Sequence, residues 1–351
     1  MMIQVVQKQR DSNLELFRVI VMLLIIAHHY VVNSGVWDVI QANEPTANSL
    51  FYYIFGMWGK TGINCFVLIT GWFMCTSQIT LRKFLKLLLE IEFYKIAISV
   101  AFLITGKDVF STKWLLSLLP VRAIRTDFIQ SFLVFFFFIP FLNILIKKMT
   151  KHQHFLLIAL FFFLYTFLGT VPKFYVTMNY VSWFCALYVY SSFMRLYDFP
   201  FKDNHLAWRV FSLTSVLISI ISVLVIRYYP GIISDPYWFV SDSNKFMALI
   251  TAICLFNLFR TLRMPYNRLV NILGSTTFGV LLIHAHSNTM RSWLWGEFFD
   301  NVGHLTMPYY ALRAFGVVVL VFAVCSCIDY LRIKLLERPL FTFYDNHFGD
   351  C

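Results

Sequence analysis

Long apolar runs separated by short polar segments dominate the chain. Ten of these runs approach the roughly 20 residues that a helix needs to cross the hydrocarbon, and charged or turn residues bound each one. They cover residues 14–32, 50–75, 84–105, 128–146, 155–170, 176–196, 210–226, 246–259, 269–287 and 310–331. The pattern predicts an all-α, polytopic membrane helix bundle with about ten transmembrane helices.

The basic residues give this bundle an orientation. If the amino terminus lies in the cytoplasm, the inner segments hold about twice as many Lys and Arg residues as the outer ones. Both termini are therefore expected inside, with an even number of crossings. No internal repeat and no long Gly, Ser or Pro linker divides the sequence, so we expect a single transmembrane domain over residues 1–351.

The amino-acid composition also indicates a membrane protein and argues against several other classes of protein. The chain is 59% hydrophobic and 13% charged, whereas soluble domains carry about 25% charged residues. Its net charge of +11 does not indicate nucleic-acid binding, because the basic residues lie in short groups between apolar runs. Seven cysteines, mostly inside apolar runs, do not form a disulfide framework pattern. Phosphate-loop, zinc-protease and nucleophile-elbow motifs are absent from the sequence.

Charged and polar groups inside a span are the first candidates for function, since burying them is costly. Arg18 and His29 are eleven positions apart in the first span, which returns to the same helix face about 16 Å farther along the axis. We expect both to line one internal groove. His28 points about 100° away and is expected outside that groove.

Glu15 lies one turn before Arg18, so the two side chains can pair. For His29 two interpretations remain open from this span alone. It is either a general base, a role that suits an imidazole, or a histidine that only hydrogen-bonds a neighbouring helix.

Other polar residues lie in pairs within the predicted spans. A spacing of three positions lets two side chains pair on one face, and a spacing of two makes them diverge, which argues against a two-histidine metal site. The pairs are Glu92 with Lys95, Asp329 with Arg332, and the diverging His284 with His286. Whether Glu92, Lys95 and His286 serve function stays open.

The first span also carries a motif. Its residues N-L-E-L-F-R-V-I-V-M-L-L-I-I-A-H-H-Y contain an arginine followed by ten residues and a histidine. This resembles the first-helix motif of the integral-membrane acyltransferases called acyltransferase family three, which includes bacterial polysaccharide O-acetyltransferases. Arg18 and His29 match the motif, and the resemblance implies that His29 is catalytic.

The resemblance continues in order along most of the chain. The matching segments are G-x-x-G-I-N-C-F-V-L-I-T-G-W-F, F-F-F-F-I-P-F-L-N-I-L-I-K, Y-V-S-W-F-C-A-L-Y-V-Y, F-G-V-L-L-I-H-A-H with His284 at the family's histidine, and the terminal E-R-P-L. One departure follows the second span, where many members carry R-x-x-R. Here Arg82 is followed by Lys83 and Lys86, and only the lysine pair keeps the spacing. Lysine offers a point charge in place of the bidentate arginine fork.

The resemblance implies a membrane-embedded O-acyltransferase with no permanently bound cofactor and no metal. Its donor is expected to be acyl-CoA, most simply acetyl-CoA, which approaches from the cytoplasm and places its phosphates near Arg18, Lys83 and Lys86. His29 would then deprotonate a sugar hydroxyl, while His284 or Asn64 steadies the developing oxyanion.

The acceptor implied by the resemblance is a cell-surface or exported polysaccharide or its lipid-linked precursor. The expected location is the bacterial cytoplasmic membrane, with polysaccharide biosynthesis proteins as partners. Two other classes remain open: a transporter or flippase that moves such a precursor without chemistry, and a membrane-embedded binding or sensing domain. Transporters often contain related halves, and none is visible in this sequence.

Overall fold

The computed structural model describes residues 11–121, 128–174 and 176–348, and within these ranges every regular element is a helix and no strand is present. The helices are α1 (Ser12–Val32), α2 (Val36–Ala42), α3 (Ala47–Gly56), α4 (Gly59–Met74), α5 (Leu81–Ile104), α6 (Thr112–Ser117), α7 (Phe128–Lys148), α8 (Lys151–Phe161), α9 (Leu168–Thr170), α10 (Tyr180–Leu196), α11 (His205–Tyr228), α12 (Phe246–Thr261), α13 (Arg268–His284), α14 (Asn288–Arg291), α15 (Tyr310–Arg332) and α16 (Arg338–Phe348). Short π-helical turns occupy Phe162–Phe167, Ser292–Phe298 and Ile333–Glu337. The all-α prediction is confirmed.

Every predicted span overlaps one helix or a run of two or three successive helical segments. Five helical segments are long and apolar enough to cross a membrane: Ser12–Val32, Phe128–Lys148, Lys151–Thr170, His205–Tyr228 and Tyr310–Phe348. A sixth is obtained if Arg268–His284 and Asn288–Phe298, which meet at a bend of 96°, form one broken span. The chain is thus a polytopic membrane bundle. A count of ten crossings stays a prediction, as does the single domain over 1–351, which extends beyond the described residues.

The predicted second span is two helices rather than one. Helix α3 ends at Gly56 and α4 begins at Gly59, with a short break between them. A Cβ at Gly56 would lie 2.8 Å from Val31 Cβ, and one at Gly59 would lie 2.2 Å from the His28 ring. These glycines let the broken segment press against α1, so the interruption itself places the start of α4 beside His28.

Contacts between helices fix their directions. Glu15 packs on Gly274 and His29 contacts His284, so α1 and α13 run parallel. Ile25 packs on Gly62, whereas His28 packs on Gly59, so α1 and α4 are antiparallel. We call the bundle end that holds His29 the outer end and the opposite end the inner end, after the predicted orientation.

Most of the described cysteines are buried between the helices. The six that lie in the described ranges are all free. Cys325 is buried and Cys327 is exposed, so the two thiols diverge as their spacing predicts.

Candidate active site

A cavity of about 400 Å³ lies at the outer end of the bundle, between α1, α4, α7, α10 and α13. Its wall includes apolar side chains such as Ile63, Phe66 and Leu281. The polar residues that line it are His28, His29, Lys60, Tyr180 and Arg291. A cavity in which apolar side chains surround a few convergent polar groups is the usual form of a small-molecule site.

The imidazoles of His29 and His284 meet beside this cavity. Nδ1 of His29 lies 3.0 Å from Nε2 of His284, and the ring of His284 is fully buried. Nδ1 of His284 lies 2.6 Å from the carbonyl oxygen of Val280, one turn earlier in α13. The two helices, which are far apart in the sequence, thus form one hydrogen-bonded chain.

This chain assigns the ring protons. A carbonyl oxygen can only accept, so Nδ1 of His284 must donate to Val280. With His284 neutral, its Nε2 then accepts a hydrogen bond from Nδ1 of His29. The remaining nitrogen of His29, Nε2, carries a lone pair. This is the protonation state that a general base requires.

His28 also lines the cavity, which corrects the expectation that it lies outside the groove of His29. Its Nδ1 donates to the carbonyl oxygen of Gly56 at 2.6 Å, and its ring packs on Gly59. The cavity is wide enough to border two adjacent faces of α1. The angle of about 100° between neighbouring residues therefore does not separate the two histidines.

Lys60 reaches the cavity from the first turn of α4. Its Nζ donates to the hydroxyl of Tyr180 at 2.5 Å and lies 3.6 Å from Oδ1 of Asp242. In the sequence, Lys60 is a charged residue within the second predicted span. Charged residues within a span usually face an internal cavity, and this rule was the signal that could have identified Lys60. No spacing links Lys60 to Tyr180, because 120 positions separate them.

Arg291 in α14 also lines the cavity. Its guanidinium donates to Oδ1 of Asn288 and to the carbonyl oxygen of Ala285, each at 3.4 Å. In the sequence, Arg291 lies just after the ninth predicted span. The sharp bend after α13 is what turns α14 back toward His29.

Arg18 does not line this cavity. It pairs with Glu15, as the spacing predicts, with Nη1 at 3.5 Å from Oε1, and it lies 5.9 Å from the centre of the Phe73 ring. Its side chain is 24% exposed, toward the inner end of α1. The expected groove that joins Arg18 to His29 stays a prediction.

Two further arginines approach the same aromatic pair at the end of α4. Arg195 stacks 4.5 Å above the ring of Trp72, and Arg260 lies 5.4 Å from that ring. Arg260 also pairs with the exposed Asp203 at 3.1 Å. Three arginines from α1, α10 and α12 thus surround Trp72 and Phe73. Only the fold could bring them together, since they come from three widely separated parts of the sequence.

The three cations at the start of α5 each have a partner. Arg82 binds Asp345 of α16 in a bidentate manner, at 2.7 Å and 2.9 Å. Lys86 pairs with Glu337 at 2.6 Å. Lys83 donates to the carbonyl oxygen of Gln78 at 2.6 Å. They lie at the inner end, far from His29, and their role with the donor stays a prediction.

Asn64 differs from the expectation that its amide faces the substrate. Its Nδ2 donates to the carbonyl oxygen of Ser243 at 2.7 Å, and its Oδ1 accepts from Nε1 of Trp183 at 2.9 Å. The side chain is fully buried and does not line the cavity. These contacts tie α4 to α10 and to the segment before α12.

The remaining polar pairs form as their spacing predicts. Glu92 and Lys95 lie 3.4 Å apart in the middle of α5, and His286 donates to the carbonyl oxygen of Lys95 at 3.3 Å. Asp329 pairs with Arg332 at 2.7 Å. A larger buried network extends from this pair, and its members are Glu90, Tyr94, Asp329, Arg332 and Glu337.

The helical bundle and its imidazole pair define a multi-pass membrane protein with a candidate base in an internal cavity. The family model of the acyltransferase domain, acyltransferase family 3, matches residues 11–331, and the chain belongs to this family. The protein is therefore a membrane O-acyltransferase. No curated protein and no solved structure matches the chain.

Proposed function

We propose that the protein transfers an acyl group, most simply acetyl, from acyl-CoA to a hydroxyl of a cell-surface or exported polysaccharide or its lipid-linked precursor. The hydrogen-bonded chain from Val280 through His284 to His29 supports this proposal. It leaves the lone pair of one imidazole nitrogen beside a cavity large enough to admit a sugar. A transporter needs no such arrangement of tautomers.

His29 is the base in this proposal. Its Nε2 takes the proton of the acceptor hydroxyl while the hydroxyl oxygen bonds to the thioester carbonyl carbon. The tetrahedral intermediate then collapses, the carbon–sulfur bond breaks, and the imidazolium gives its proton to the leaving CoA thiolate. His29 ends neutral, and the products are the acyl ester and free CoA.

His284 is a positioning residue rather than an oxyanion donor. Its Nδ1 proton is committed to Val280, and its Nε2 accepts from His29. It therefore has no N–H group left to donate a hydrogen bond to the thioester carbonyl oxygen of acyl-CoA. Its contribution is to hold His29 in the tautomer and orientation that keep Nε2 directed away from α13, as a third group does in catalytic triads.

The donor is proposed to bind from the inner end. Arg18, Lys83 and Lys86 would meet its phosphates, with Arg195 as an added cation beside Trp72. Arg18 and His29 are separated by about 16 Å along α1, so the acyl-bearing arm of CoA has to extend through the bundle. The acceptor would enter from the outer end, and the bacterial cytoplasmic membrane is the proposed location.

The proposal is tested by replacing the neighbouring residues His28 and His29 one at a time. We expect His29→Gln to lower transfer of labelled acetyl from acetyl-CoA into polysaccharide by at least about 100-fold, because a carboxamide cannot take the proton. His28→Gln is the matched variant on the same cavity and is expected to lower transfer much less. Both are measured in purified membranes at equal protein level.

Unchanged acetylation by His29→Gln would contradict the base role. A larger loss in His28→Gln than in His29→Gln would assign the base to the neighbouring residue instead. Label that crosses the bilayer without joining polysaccharide would favour the transporter class.

A further inference from the structure

The charged residues described in the outer cavity are all positive. Among the described residues that line it, Lys60 and Arg291 are charged and none is acidic. The other polar residues there are neutral imidazoles and the phenol of Tyr180. An apolar wall surrounds them, which strengthens their electrostatic effect relative to bulk water.

Lys60 is held only loosely by protein carboxylates. Asp242 lies 3.6 Å from its Nζ, and the Asp242 side chain is 42% exposed. Oδ1 of Asp242 also accepts the backbone N–H of Ser243 at 2.7 Å. The Lys60 side chain is itself 26% exposed, and partly exposed pairs of this kind contribute little stability. A ligand anion in the cavity can therefore compete for the ammonium group.

Tyr180 adds a second donor at the same place. It accepts from Lys60 at 2.5 Å, and a phenol that accepts one hydrogen bond still has its own hydrogen to donate. An ammonium and a phenol hydroxyl side by side match the two oxygens of a carboxylate or of a phosphate group.

The positive charge of the cavity matters for the proton transfer to His29. When the imidazole takes a proton it becomes a cation in a cavity that already contains Lys60 and Arg291, and like charges at close range are unfavourable. A neutral acceptor does nothing to offset this repulsion. A negative group on the acceptor neutralises the nearby cations while the proton moves.

We propose that the outer cavity selects an acidic acceptor, in which a carboxylate or phosphate of the sugar is held by Lys60 and Tyr180 close to the hydroxyl that is acylated. This inference rests on the proposed acyl transfer and names its substrate class. Two sources carry the required charge: a uronic-acid carboxylate within the polymer, and a phosphate on the polymer or its lipid carrier.

The first experiment alters the acceptor. De-O-acetylated surface polysaccharide and its lipid-linked precursors, taken from the cells that carry the protein, are incubated with the purified full chain and labelled acetyl-CoA. One sample is first carboxyl-reduced, so that each uronate becomes a neutral hydroxymethyl sugar, and another is dephosphorylated. We expect one of these treatments to lower the rate of labelling roughly 10-fold or more, the effect of losing a charge-assisted hydrogen bond.

The second experiment alters the protein. Lys60→Met is expected to raise the KM for the untreated acceptor roughly 10-fold, and Lys60→Arg to restore most of the affinity because it keeps the charge. Lys107→Gln is the matched control, since Lys107 pairs with the exposed Glu297 outside the cavity. The selectivity for untreated over charge-depleted acceptor should fall in Lys60→Met and persist in the control.

The outcomes separate this inference from the proposed function. Loss on carboxyl reduction identifies a uronate, and loss on dephosphorylation identifies a phosphate. Equal labelling of all three acceptors overturns the inference and leaves acyl transfer intact. No labelling of any acceptor by the wild-type protein overturns the proposed function, and this inference with it. A drop in kcat with unchanged KM in Lys60→Met would place Lys60 on the oxyanion instead and also overturn it.

Discussion

Cations meet different surroundings at the two ends of the bundle. At the outer end, Lys60 and Arg291 line a cavity that no described acidic residue lines. At the inner end, Arg82 and Lys86 are bound by Asp345 and Glu337, which belong to the last helical segments of the chain. The inner cations form a basic run that is obvious in the sequence, whereas Lys60 is isolated within a span.

This difference shows that a run of basic residues in the sequence indicates where positive charge lies in the fold. It does not indicate which anion that charge binds. A carboxylate on Arg82 occupies the same fork that a donor phosphate would use. Lys60 has no carboxylate that close, since Asp242 lies 3.6 Å away, so its charge is available to an anion that enters the cavity. Three substitutions test whether the cations at the two ends differ in what they bind.

The strongest effect is expected at the outer end, from His284→Leu. Leucine offers no acceptor for Nδ1 of His29, so the base can turn or change tautomer, and we expect kcat to fall about 100-fold with little change in the KM for acetyl-CoA. The decisive measurement is the double variant. If His284 acts through His29, then His29→Gln with His284→Leu is no slower than His29→Gln alone. Additive losses would mean that the two histidines act independently.

An intermediate effect is expected at the inner end, from Arg195→Gln. Removing this cation from the arginine group around Trp72 should raise the KM for acetyl-CoA roughly 10-fold and leave kcat nearly unchanged, because the phosphates stay bound during the chemistry. Lys148→Gln, at the inner end of α7, serves as the control for general surface charge. Equal KM values for both variants and the wild type would remove Arg195 from the donor site.

The smallest effect is expected from Asp345→Asn. This change releases the Arg82 guanidinium from an exposed ion pair worth at most about 1 kcal/mol. If Arg82 then helps to bind the phosphates, the KM for acetyl-CoA falls by about two- to fivefold. A higher KM would show instead that Asp345 holds α16 in place for the donor, and the contrast between the two ends would weaken.

Much of this fold is encoded locally and was predictable. Each apolar run forms a helix because a buried backbone must satisfy its own hydrogen bonds. Pairs such as Glu15 with Arg18 form because their spacing on one helix suffices. The first-helix motif likewise selected His29, and its spacing to Arg18 needs no tertiary information.

The rest depends on helix packing, which a single sequence does not display. Tyr180 meets Lys60 only because α10 begins beside the start of α4. His28 enters the cavity because Gly59 admits its ring, which the helical angle alone could not reveal. Asn64 sits in a glycine-rich motif and was expected at the substrate, yet Ser243 and Trp183 occupy its polar atoms.

The contact between Glu15 and Gly274 makes catalytic activity depend on the correct packing of α1 against α13. A Cβ at Gly274 would lie 2.3 Å from Oε2 of Glu15, so the two helices interlock at their inner ends. At their outer ends the imidazoles touch at 3.0 Å. A slip of α13 by one residue would move His284 by about 1.5 Å along the axis and separate the rings. The base is therefore complete only when the first and ninth predicted spans are seated in register, so a chain inserted with a misplaced ninth span carries no competent base.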